Sequence, residues 1–178
     1  MRTLSLRRLL LPLTVVLLMG GCASPADRSA MTPQNLTLAK HFIYSLHVQT
    51  GGGADTGVLD SSNVADADLK AAIEDAIRQS KLFRSIVQGK DGDYELSVRV
   101  TSLSKPVFGT TFTVDMETAW SLTRLSDRSV ALRKAVSSTG TASMGEAFVA
   151  ATRLRLAVEA ATRSNIAKGL QTVAELDL

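Results

Sequence analysis

Apolar positions along this chain repeat with a period of two in some stretches and near 3.6 in others, and the two rhythms predict a definite order of strands and helices. In residues 41–50, Phe42, Tyr44, Leu46 and Val48 share one face, while His41, Ser45, His47 and Gln49 mostly take the other, which predicts a half-buried strand. Gly51-Gly52-Gly53 then opens a polar loop to about Val64. Asp66 is a candidate N-cap for a helix through residue 82, with Leu69, Ile73, Ala76, Ile77 and Ser80 at helical spacing. A short strand is expected at residues 85–87 and a turn at 89–92.

Strict alternation returns in Tyr94, Leu96, Val98 and Val100, and again in Phe112, Val114, Met116, Thr118, Trp120 and Leu122. Pro106 and Gly109 break these two strands apart. After a turn at 126–128, residues 129–142 form the returning strand, and Lys134 on its apolar face marks a sheet edge or a bulge. Residues 144–175 read as one long helix of about 45 Å. Phe148, Ala151, Leu154, Val158, Ala161, Gly169, Leu170, Val173 and Leu176 lie along one side of it. Asn165 falls inside that stripe and needs a carbonyl at a strand end or loop.

The expected fold is therefore α+β: a two-layer sandwich, with a mostly antiparallel sheet of four to five strands covered on one face by two helices. No internal repeat is visible, which excludes a hexapeptide-repeat acyltransferase.

The amino terminus changes the picture. Arg2, Arg7 and Arg8 precede an apolar run from Leu9 to Met19, shorter than the roughly 20 residues that span a bilayer. Leu18-Met19-Gly20-Gly21-Cys22 follows, with small residues just before the chain's single cysteine. This arrangement reads as a lipoprotein signal peptide over residues 1–21 with Cys22 as the acylated residue. Residues 22–38, polar and rich in small residues, read as a flexible tether, and residues 39–178 as one periplasmic domain. Ala23-Ser24 lacks the aspartate that retains many such proteins at the inner membrane. By resemblance to proteobacterial lipoproteins, the expected location is the inner leaflet of the outer membrane.

Charge follows from the same processing. The chain has 20 basic and 17 acidic residues, and three of the basic ones lie within residues 1–21, so the remainder is balanced at 17 of each. No nucleic-acid surface is expected from such a balance. One cysteine also excludes a disulfide framework within the chain.

Three stretches carry a family resemblance: Leu103-Ser104-Lys105-Pro106-Val107-Phe108-Gly109, the aromatic-bearing strand ending near Leu122, and Phe148 through Ile166. The last contains Arg153-Leu154-Arg155-Leu156-Ala157, Glu159, Arg163 and Asn165. In these the chain resembles an uncharacterised family of proteobacterial envelope lipoproteins. The family's glycine-rich stretch remains at Gly51-Gly52-Gly53, but its Thr-Asn-Pro-aromatic segment does not follow. The resemblance implies an envelope lipoprotein and no particular reaction.

The chemical inventory is sparse. His41 and His47 are the only histidines and stand about 20 Å apart on an extended strand, too far to share one metal ion. There is no Gly-x-Ser-x-Gly elbow for a serine hydrolase. No Gly-Lys-Ser or Gly-Lys-Thr follows the glycine triplet. Asp115 and Glu117 share a strand face that reads as solvated. No catalytic residue, metal or cofactor is expected.

Two sets remain as partner contacts. Arg155, Glu159 and Arg163, spaced four apart on a helix, either recognise a partner's charged group or pin the helix. Val107 and Phe108 are apolar for a connection and are either contact residues or core. The first functional expectation is a non-catalytic accessory module that binds another envelope protein, tethered to the membrane by its lipid. The alternative is a carrier of lipid or glycolipid, with a cavity lined by Phe112, Met116, Trp120 and Phe148.

Overall fold

A computed structural model describes residues 24–57, 62–89 and 91–178. The expectations for the signal peptide and for Cys22 lie outside the described residues. Eight elements follow in order: α1 (Arg28–Met31), β1 (Phe42–Gly51), α2 (Asp66–Ser80), β2 (Phe83–Ile86), β3 (Tyr94–Ser104), β4 (Thr111–Arg124), β5 (Val130–Ser143) and α3 (Ala150–Ala174). The strands form one sheet in the order β2-β1-β3-β4-β5, with the helices on one face, so the α+β sandwich stands.

The sheet is mixed, with the antiparallel pairing the more extensive. β3, β4 and β5 make the expected meander, but β1 runs parallel to both of its neighbours, β2 and β3. The chain leaves β2 beside Leu46, crosses the far face of β1, and enters β3 at Tyr94, also beside Leu46. This crossover buries Ser45 and His47 on the face away from the helices. Asp93 accepts hydrogen bonds from both the backbone and the hydroxyl of Ser45 (2.7 Å each), and His47 Nδ1 donates to the Val87 carbonyl (3.3 Å).

On the covered face, the alternation works as read. Phe112, Val114, Met116, Thr118, Trp120 and Leu122 of β4 are all buried, and the residues between them face solvent or its margin. α3 crosses β4 and β5 at close range because Gly140 and Gly169 have no side chains. A Cβ on Gly140 would stand 2.1 Å from the Ala161 nitrogen, and one on Gly169 would stand 2.2 Å from the Trp120 ring.

Asn165 meets the need its position created. It is 2 % exposed. Its amide donates to the Val136 carbonyl (2.9 Å) and to Ser138 Oγ (3.2 Å). Its oxygen accepts from Thr118 Oγ1 (2.6 Å), which in turn accepts from Trp120 Nε1 (2.8 Å). Each buried group left without a partner would cost about 1–3 kcal/mol, so the network locks α3 to the sheet in one register.

Both helix starts depart from the sequence reading, and α2 ends at Ser80, two residues before the expected 82. Asp66 is the first residue of α2 rather than its cap, and its carboxylate accepts from the Gly53 N–H (2.8 Å). α3 begins at Ala150, not at residue 144, and its 25 residues span about 37 Å. Before it, Glu146 folds back to accept from the Ser143 N–H (2.8 Å) and hydroxyl (2.9 Å), closing a turn instead of opening a helix. Phe148 is consequently 82 % exposed, not core.

Residues 24–38 are not a flexible tether where they are described. Ala26, Met31 and Leu38 are buried, Met31 completely. The segment runs along the outer side of the helical layer, with α1 touching both α2 and α3. Isolated apolar residues in a polar stretch carry no period, which is why composition alone reads them as linker.

Candidate interaction site

The segment that enters the domain at Ser24 is held by the charged set on α3. The Asp27 N–H donates to Glu159 Oε1 (2.9 Å), and Arg155 donates to the same oxygen (2.8 Å). Glu159 is 2 % exposed, so its charge is balanced inside the protein. One turn further, Arg163 donates to the Ala30 carbonyl (2.5 Å). Across the groove, Arg28 makes a forked pair with Asp75 of α2 (2.5 and 2.6 Å). Glu159 and Arg163 thus bond the chain's own amino-terminal segment, with Arg155 bonded to Glu159, as the helix-pinning alternative requires, while Arg163 itself stays exposed.

Asp27 caps α1 through the N–H groups of Ser29 (2.9 Å) and Ala30 (3.1 Å), and Ser29's hydroxyl also donates to it. The Ser29 hydroxyl, then the Ala30 N–H, hold the Asp27 carboxyl below the usual carboxylate range. The Arg28 guanidinium does the same for Asp75. Both carboxyls have folded values below their unfolded ones. Their stabilising contribution is therefore complete above the unfolded value of about 4 and is lost as pH falls through the folded values. Amide protection at residues 29–32 should accordingly fall on acidification below about pH 4, before that of β4, in hydrogen exchange corrected for intrinsic rate. Protection in α1 that outlasts that of β4 would contradict this.

Arg153, which the sequence reading did not single out as a site, organises the end of the molecule below Ser24. It is 5 % exposed. Its guanidinium donates to the carbonyls of Ala147 (2.8 Å) and Phe148 (3.1 Å) in the β5–α3 connection and of Gly109 (3.1 Å) in the β3–β4 connection. It also lies over the Phe112 ring, 4.6 Å from its centroid. Two loops are thereby fixed side by side. The sequence reading starts the helix at residue 144 and so places Arg153 well inside it; in the first turn of α3, where it stands, a cation opposes the dipole and needs a local reason. Val107 and Phe108, on the first loop, are 85 % and 86 % exposed, which resolves them as surface rather than core. Phe148 and Val149 stand exposed on the second.

The other polar groups named from the sequence bond within the chain. The Gly53 N–H is taken by Asp66, so the glycine triplet does not present that amide to an anion. Asp115 and Glu117 accept from Thr139 (2.7 Å) and Thr101 (3.2 Å) across the polar sheet face. His41 donates to the Lys81 carbonyl (2.9 Å). Among the described residues, no three His, Cys, Asp or Glu side chains form a group able to hold a metal ion. Trp120, Met116 and Phe112 are packed core and Phe148 is on the surface, so these four do not line a shared cavity. An open groove of about 490 Å³ instead lies at the opposite end, between Ile43, Phe83 and Ile86 with Arg78, Lys81 and Arg84 around it.

The sheet with its one-sided helical layer defines the class: a small α+β sandwich. The same architecture occurs in a DUF330 protein of Xanthomonas campestris, at a TM-score of 0.53 and 14% identity over 80% of this chain and 87% of that one. A candidate lipoprotein of Caulobacter crescentus aligns at 0.47 and 16% identity, over 71% and 87% of the two chains. A minor lipoprotein of Acinetobacter baumannii aligns at 0.41 and 11%, over 75% and 90%. No family model and no curated protein sequence matches the chain.

Proposed function

We propose that this protein is a bacterial envelope lipoprotein, acylated on Cys22, that acts without catalysis by binding another envelope protein through the free edge of its sheet. The domain faces the periplasm from the inner leaflet of the outer membrane. Export and acylation rest on the signal-like residues 1–21 and the single cysteine that follows them.

One observation carries the binding reading: β5 is fourteen residues long and pairs with β4 alone, whereas the opposite edge strand, β2, has four residues. A long unpaired edge offers a row of backbone donors and acceptors to an added strand. Arg133 and Lys134 at its start and Lys168, which donates to the Ser137 carbonyl (3.0 Å), discourage indiscriminate pairing. Photo-reactive residues placed at Arg133 and Ser137 should give the same discrete adduct in intact cells, and one at exposed Gln79 on α2 should not. Equal labelling from all three sites, or none from the edge, contradicts the reading.

A further inference from the structure

Five of the seven large hydrophobic side chains that stand exposed among the described residues are at one end of the molecule: Val107, Phe108, Met144, Phe148 and Val149. Ile43 and Val130 are at the other. The first five lie on the β3–β4 connection and on the connection from β5 to α3. The Arg153 bonds to Gly109, Ala147 and Phe148 hold these two loops together, as does the Met144 N–H, which donates to the Thr110 carbonyl (3.0 Å). The two connections, residues 105–110 and 144–149, contain two charged residues: Lys105, whose ammonium donates to the Ser62 carbonyl and Asn63 Oδ1, and Glu146, which is turned back onto Ser143. An apolar surface this concentrated marks a contact site.

The chain's own course identifies the contact. Ser24 sits at the same end: its carbonyl accepts from Ser62 Oγ (2.9 Å), and the Ser62 carbonyl accepts from Lys105 Nζ (3.2 Å), the residue that begins the first apolar loop. Ala26 donates to the Asn63 carbonyl nearby (3.3 Å). Cys22 is two residues before Ser24, a reach of about 7 Å at full extension. Because residues 24–38 pack on the domain, no long linker separates an acyl chain on Cys22 from the two loops.

We propose that Val107, Phe108 and Phe148 insert into the surface of the bilayer that holds the lipid of Cys22, so that the domain stands on the membrane in one orientation. The inference rests on acylation at Cys22. The sheet edge and the groove beside Ile43 then project into the periplasm, with the polar face of the sheet to one side. Apolar side chains on such a surface settle at the boundary between headgroups and acyl chains.

The test uses the acylated full-length protein, purified from membranes and reconstituted in vesicles of phosphatidylethanolamine and phosphatidylglycerol. A nitroxide is attached to a single new cysteine in Phe108→Cys, Phe148→Cys or Ile43→Cys, all exposed positions where the fold tolerates it. Flotation with the vesicles first establishes anchoring. A protein that does not float contradicts the lipoprotein reading itself. In floating protein, labels at 108 and 148 should lie about 5–10 Å below the lipid phosphates by relaxation with oxygen and a nickel chelate, and the label at 43 should be in water. Labels at 108 and 148 as accessible to nickel as that at 43 overturn the insertion alone. Spin–spin broadening between copies, or shielding from both reagents, also overturns it, since a second copy or another protein would then cover the patch.

Discussion

Gly140→Ala should destabilise the domain by about 3 kcal/mol or more, the larger end of what overpacking produces. The added methyl would lie 2.1 Å from the Ala161 nitrogen, 2.3 Å from the Ala157 oxygen and 2.8 Å from the Ala160 carbonyl carbon. These are helix backbone atoms, which cannot rotate away as a side chain tip does. α3 has to lift from β5, and lifting it stretches the Ser138 hydroxyl bond to the Ala161 carbonyl (2.9 Å) and the Asn165 bonds to Val136 and Ser138. The steric cost and the loss of a buried network therefore add at one site. Urea denaturation checks this directly. The midpoint should fall steeply for Gly140→Ala and stay within about 0.5 kcal/mol of wild type for Gly145→Ala. At Gly145 the nearest atom to a new Cβ is Ser143 Oγ at 3.6 Å. A Gly140→Ala protein as stable as the parent would mean that α3 does not approach the sheet this closely.

The meander was legible because period-two alternation reports which side chains share a face, and β3, β4 and β5 follow one another with short connections. The place of β1 was not legible. Alternation says nothing about which strand lies alongside, and the crossover between β2 and β3 over its far face is a long-range arrangement. Ser45 and His47 looked polar and outward for that reason, yet both are buried beneath it. The start of α3 failed differently. Phe148 falls at helical spacing, but spacing cannot detect that Glu146 closes a turn on Ser143 two residues earlier.

Among the candidate contacts, the spacing of Arg155, Glu159 and Arg163 announced that these side chains could interact on one helix face. It could not announce that Glu159 and Arg163 would meet Asp27 and Ala30, more than 130 positions earlier in the chain. Asn165 was more tractable, since a polar side chain in an apolar stripe requires a partner wherever the stripe is buried. Val107 and Phe108 stood open between core and surface until the position of Arg153 fixed both loops outward.

Cys22→Ser is expected to have the largest effect on where the protein resides. No helix among the described residues is long and apolar enough to cross a membrane. Several acyl chains, each methylene contributing about 0.8 kcal/mol, would make the attachment effectively permanent, and five apolar side chains at the tip would orient the domain without replacing it. The serine variant should incorporate no labelled palmitate. The most direct measurement is the mass of the amino-terminal tryptic peptide of protein extracted from membranes. The account predicts a peptide beginning at Cys22 and ending at Arg28, heavier than its sequence by a diacylglyceryl group, with or without a further acyl chain on the amine. A mature protein that begins at another residue, or carries Cys22 as a free thiol, contradicts it.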